Sequence, residues 1–260
     1  MTLHMVRLPV DLAALARIAG ERGWTKGRRQ HFDEGAALHH LLGETFGPAV
    51  LQPFRLRVAP RQRRGRLYAY TQHESAELLD TAAIAATPEA ISTLSPSALE
   101  AKAMPGVWQV GRRVGFDIRL RPTVRLSSAI APCTDRQGQR RHGFARGAEI
   151  DAFLAEALKH PSRESMAHQK RSREAVYRDW LARRLDDAAQ LEDARLVNCQ
   201  RVTVARGGAS HEACDVVMQG TLCITDAERF ADLLTRGVGR HRTYGYGMLL
   251  PGPPNPTSGG

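Results

Sequence analysis

Several things are scarce in this sequence, and each scarcity removes a class of protein. Lysine is nearly missing: Lys26, Lys102, Lys159 and Lys170 are the whole set. The basic character therefore belongs to arginine. Aromatic residues make up 6%, and the interleaved-aromatic signature of a single-strand RNA-recognition sheet is not present. Cys133, Cys199, Cys214 and Cys223 are the only cysteines. None is spaced as CxxC, so no zinc ribbon or finger is readable; they read as buried thiols of a reducing compartment. No run of about 18 apolar residues exists to span a membrane. The opening stretch MTLHMVRLPVDL lacks the apolar core of a signal peptide, so a cytoplasmic protein without membrane contact is expected. No carboxylates cluster for metal-assisted phosphoryl transfer, and neither metal nor cofactor is expected.

What is present begins with charge. Lys and Arg total 37 against 27 acids in 260 residues, a formal net charge of +10. Such a balance favours a polyanionic partner, because each neutralised phosphate releases counterions. Guanidinium groups also fork onto phosphates and stack on bases. The basic residues gather in segments 61–66, 112–125, 136–146 and 163–184, and Arg64, Arg66, Arg119 and Arg121 are the candidates there. Each segment alone could be a solvated face. Together with the glycine loop below they point to a groove for a polyanion.

Periodicity supplies the elements. Residues 2–8 read as a strand, and Asp11 caps a helix to about residue 22. Asp33 caps a second helix that Gly47 and Pro48 end. FRLRV (54–58) and LYAY (67–70) read as strands around a basic turn, residues 74–84 as a helix, and 114–122 as the strand completing a first unit. Residues 127–147 look like a mobile loop. Helices are expected at 148–158 and 172–186, and paired strands at 194–206 and 214–225. Thr225 with Glu228 suggests a capping box opening a helix to Arg236, and 245–251 reads as the last strand. The expected class is α+β, with two tandem ferredoxin-like (RRM-like, βαββαβ) domains: residues 1–125, residues 126–251, and a disordered tail at 252–260.

Two stretches carry candidate chemistry. GVGRHRTYGYG punctuates a loop with Gly237, Gly239, Gly245 and Gly247 around Arg240, His241 and Arg242. Glycines let backbone approach a ligand closely, and arginines with amides suit a phosphate backbone. The loop sits between helix and strand, and Arg242 replaces the last glycine of a dinucleotide fingerprint, so that reading fails. In DEGAALHHLLGETFG, Leu38, Leu41, Leu42 and Thr45 form one helical stripe. His39 flanks the stripe and His40 points to solvent. A flanking histidine can face a cleft, where its near-neutral pKa suits proton transfer.

GVGRHRTYGYGMLL resembles the glycine-rich loop of the CasE-type CRISPR repeat-processing endoribonucleases. TLHMVRL with Leu38-His39, FDIRLRPTVRL and SREAVYRDWLARRL agree with that family in order. The resemblance implies two ferredoxin-like domains around an RNA cleft. It implies metal-independent cleavage of precursor CRISPR RNA in its hairpin repeat, leaving a 2′,3′-cyclic phosphate and a 5′-OH. The product hairpin would stay bound, with the Cascade effector subunits as partners. His39 falls at the family's catalytic histidine. Family members often carry a tyrosine three residues earlier, where this chain has Ala36; Tyr68, Tyr244, His40 or arginines alone would then serve. The alternative is a catalytically inactive RNA-hairpin-binding subunit of the same complex.

Overall fold

The computed structural model describes residues 2–24, 32–134, 140–141, 143–158, 171–206 and 209–255. Its first half opens on β1 (His4–Asp11), whose alternation buries Val6, Leu8 and Val10 on one face. Asp11 ends the strand and caps α1 (Leu12–Glu21), accepting from the Ala13 and Ala14 amides. Asp33 does the same for α2 (Glu34–Phe46) through the Ala36 amide. β2 (Phe54–Arg57) and β3 (Arg64–Thr71) follow, then α3 (Ser75–Ala85), α4 (Pro88–Leu94) and β4 (Glu100–Ala103). The antiparallel sheet runs β2-β3-β1-β4. The stripe Leu38, Leu41 and Leu42 packs with Val6, Leu8 and Leu67 in one core.

The second half begins at β5 (Arg113–Leu120). Small pieces follow: β6 (Thr123–Arg125), β7 (Cys133–Thr134), β8 (Arg140–Arg141), β9 (Glu149–Asp151) and α5 (Ala152–Ala157). Then come α6 (Arg173–Ala182), the long pair β10 (Ala189–Arg206) and β11 (Ala209–Ile224), α7 (Ala227–Arg236) and β12 (Leu249–Gly252). Their sheet runs β10-β11-β5-β12. Within each unit the order is second, third, first, fourth strand, which is the ferredoxin-like order twice over.

That order corrects the expected boundary. The strand at 114–122 does not complete the first unit. It pairs with β11 and β12 and opens the second. β4 completes the first sheet, and sequence reading missed it because its four residues are all exposed and carry no alternation. The boundary thus falls between β4 and β5, not after residue 125. The helix expected at 148–158 is split, since Glu149–Asp151 pairs with β6 before α5 starts. Asp226, not Thr225, caps α7, while the Thr225 hydroxyl donates to the Asp187 carbonyl. The tail is ordered as far as it is described. Gly252 pairs with Gly115, and Asn255 donates to Thr221 and Asp193. Part of the expected loop at 127–147 is tied down by the Ile130–Phe144 bridge; residues 135–139 and 142, and 159–170 from the last basic segment, lie outside the described residues. Among the described residues no helix is long and apolar enough to cross a membrane.

The two halves are joined by polar as well as apolar contact. The Arg55 guanidinium of the first sheet reaches Asp117 of the second at 3.1 Å, with both side chains largely buried. The Tyr70 hydroxyl donates to the Leu249 carbonyl at 3.0 Å.

Candidate active site and RNA interface

The glycine loop folds back on α2 and meets His39. Gly35, in the first turn of α2, permits this: a Cβ there would lie 2.3 Å from the Tyr244 carbonyl oxygen. Tyr244 follows in a short 3₁₀ turn, and its ring meets the His39 ring edge-on at 5.4 Å between centroids. His39 is half-buried, and its Nδ1 faces the Gln52 amide nitrogen at 3.4 Å. Burial, then the neighbouring His40, lowers the His39 pKa below the usual 6.5. His40 is exposed and stacks on Trp24. Ala36 is buried at 4% exposure, so a phenol beside His39 comes from Tyr244 rather than from its own helix.

All four loop glycines have positive φ, between 71 and 81°. Their shared reason is packing. A Cβ would strike the Trp180 ring at Gly239, Phe54 at Gly245, and the Val238 carbonyl at Gly247; Gly237 abuts Pro53 and the Gly247 carbonyl. The Gly237 amide is spent on Leu233 and the Gly247 amide on Arg119. The expectation that these two present free N–H groups to phosphate is therefore corrected. What the glycines do is hold Arg240, His241, Arg242 and Tyr244 on a tight, supported loop. Arg240 and Arg242 are exposed. Arg240 ion-pairs with Glu149, which also faces His241 at 3.9 Å, and Arg242 donates to the Arg236 carbonyl.

Arg119 and Arg121 do not stand on an open surface as expected. Arg119 grips Asp215 through three hydrogen bonds of 2.5 to 3.1 Å and lies over the Tyr246 ring. It also approaches Glu34 of α2 at 3.8 Å. Burial pushes Asp215 upward, but the Arg119 hydrogen bonds outweigh it and hold the carboxyl below its usual range. Burial raises Glu34 against the pull of Arg119. Arg121 is 6% exposed, donates to the Tyr246 hydroxyl at 2.8 Å, and leaves its Nε without a partner. Alternating strand sequence cannot show which face a later sheet will cover. Arg64 and Arg66 are exposed on β3 and line a separate groove with Arg57 and Tyr68 on the first sheet. Gln52, Glu34 and Asp215 were missed, and nothing in their local sequence marks them. Among the described residues no group of three or more metal-binding side chains converges.

Fold and site define a double ferredoxin-like protein with a histidine and a glycine-rich loop meeting at the seam of its halves. A family model described as CRISPR associated protein matches residues 3–253, and the chain belongs to that family. It is 32% identical over 77 residues to the CRISPR system Cascade subunit CasE of Escherichia coli K12. That alignment spans 30% of this chain and 39% of the relative. A structure of Thermus thermophilus Cse3 bound to an RNA representing a pre-cleavage complex superposes with a TM-score of 0.59 at 17% identity, covering 97% of this chain and 100% of that one. Crystalline Cas6e from E. coli K-12 gives 0.58 at 18%, covering 96% and 99%. At these identities the likeness establishes the shared fold.

Proposed function

We propose that the protein is an endoribonuclease that cuts precursor CRISPR RNA within its hairpin repeat and holds the product hairpin for the Cascade effector subunits. The observation that carries this reading is the meeting of His39 with the glycine loop. The loop's exposed arginines can hold an RNA backbone beside an imidazole whose lowered pKa keeps it neutral near pH 7. A neutral imidazole accepts a proton at its unprotonated nitrogen. Gln52 stands 3.4 Å from Nδ1, and with its amide turned so that the oxygen accepts from Nδ1–H, Nε2 is free to take the proton. The ribose 2′-oxygen attacks the adjacent phosphorus and loses its proton, the P–O5′ bond breaks, and the 5′-oxygen takes a proton. The products are a 2′,3′-cyclic phosphate and a 5′-OH. His39 exchanges one of these protons, and that exchange requires no metal. Arg240 and Arg242, with Arg64 and Arg66 on the first sheet, supply backbone contacts.

The relatives support the same reading: one is described as a Cascade subunit and another as bound to a pre-cleavage RNA. Cleavage of a labelled hairpin repeat RNA in excess EDTA, by wild type and His39→Ala with binding measured in parallel, tests it. Cleavage by wild type alone at equal affinity is expected. Tight binding without cleavage by either protein would instead make this a non-catalytic hairpin-binding subunit.

A further inference from the structure

Beside the glycine loop lies a cavity of about 710 Å³ between β6, β9, α5, β11 and the loop residues Arg240 and His241. Its volume is that of a small-molecule site. Phe144, Ile150 and Leu154 give it an apolar and aromatic wall. Arg121 lines it with its side chain buried and a guanidinium Nε–H that meets no acceptor. A buried donor left unpaired is destabilising; the Arg121 Nε–H is sealed from solvent, and it gains an acceptor only if the guanidinium turns toward a group seated in the cavity. Arg125 also lines the cavity; its Nε is used on the Gly147 carbonyl. The carboxylate of Glu149 supplies an acceptor on the same wall, and Arg240 stands at its edge.

We infer that this cavity takes one unpaired purine nucleotide of the bound RNA, the base against Phe144 and the phosphate on Arg240. Guanine complements the wall best. Its O6 and N7 accept from arginine, a fork well suited to that edge, and its N1–H and N2–H donate to a carboxylate such as Glu149. A base taken out of a stack is commonly held in this way, between an apolar wall and polar groups that read its edge. Glu149 exchanges its partners in the process: RNA phosphate replaces it on Arg240, freeing it for the base. The inference rests on the proposed RNA binding, and it adds a base-reading site apart from His39.

The test places an abasic residue at each unpaired position of the hairpin repeat RNA in turn and measures affinity for wild type, Arg121→Met and Phe144→Ala. At one purine position the abasic RNA should bind wild type about tenfold more weakly, in keeping with the value of one stacked or bidentate base contact. Each variant should lose a similar factor on intact RNA and lose little more on that abasic RNA. Losses that multiply at every position would overturn the pocket, as would abasic RNAs that all bind like the parent. Thermal melting of both variants guards against misfolding, and Phe144, only half-buried, is the safer of the two. If wild type binds the intact hairpin no better than an unrelated duplex, the RNA-binding reading itself fails, and the two failures are distinct.

Discussion

At the residue scale the proposed chemistry turns on the protonation of His39. Its pKa is lowered chiefly by burial, so the charged form is disfavoured in the folded protein. Two consequences share one sign. Single-turnover cleavage should lose its basic-group limb only below about pH 6.5, the ordinary imidazole value; a limb at or above that value would show an unperturbed group. Folding should likewise be stabilised less as pH falls below that value, since the unfolded histidine binds the proton more readily. His39→Ala should slow cleavage by about 10²–10⁴-fold at unchanged affinity, the usual worth of a positioned acid-base group. Tyr244→Phe keeps the ring contact and removes only the hydroxyl. A fall in single-turnover rate with binding intact would make the phenol a participant. A wild-type rate would reduce Tyr244 to a packing partner that orients the imidazole.

At the element scale the glycine loop and α2 act as one unit through Gly35. Helix propensity alone says Gly35→Ala should stabilise α2, by about 1 kcal/mol. The approach of the Tyr244 carbonyl says the added methyl cannot be placed without moving the loop. Gly35→Ala is therefore expected to leave the melting temperature near wild type while cleavage falls, because Tyr244 is pushed from His39. Unchanged cleavage on measuring both would show that the docking is unimportant. The loop's arginines belong to the same scale. Replacing Arg240 and Arg242 with Ala should weaken RNA binding and flatten its dependence on salt, since fewer counterions are released; titrations at several salt concentrations read this directly.

At the scale of the whole molecule, buried charge ties the halves together. Arg55 and Asp117 face each other from different sheets, 8% and 13% exposed. Removing one partner of such a pair costs about 3–5 kcal/mol, because the other charge stays buried and unpaired. Arg55→Leu should show that loss in chemical denaturation, and a change below about 1 kcal/mol would mean that Gln219, which also donates to Asp117, suffices. Asp215 behaves differently with pH. Its carboxyl is held below the ordinary 3.8, so its contribution is present above about pH 4 and is lost as acid protonates it. The final strand matters at this scale too: truncation after Pro251 should lower the melting temperature, because it removes the Gly252 pairing and both Asn255 hydrogen bonds.

Sequence by itself determined most of the local elements, β4 and the strand before α5 excepted. Asp11, Asp33 and Gly47 mark helix ends through backbone donors and acceptors that must be satisfied close by, and the Leu38–Leu41–Leu42 stripe follows from helical period alone. It also singled out His39 and the glycine loop, because a flanking histidine and four glycines are local patterns. Only tertiary structure decided which sheet β5 joins, since a strand's partners lie far away in sequence. The same holds for Arg119 and Arg121, whose alternation reads equally well outward or inward until β11 and Tyr246 cover them. The contacts His39 makes with Gln52 and Tyr244 span loops of the chain that nothing local brings together. The residues that frame His39 are therefore fixed by packing between the halves, whereas His39 and the glycine loop are marked by the pattern of the chain.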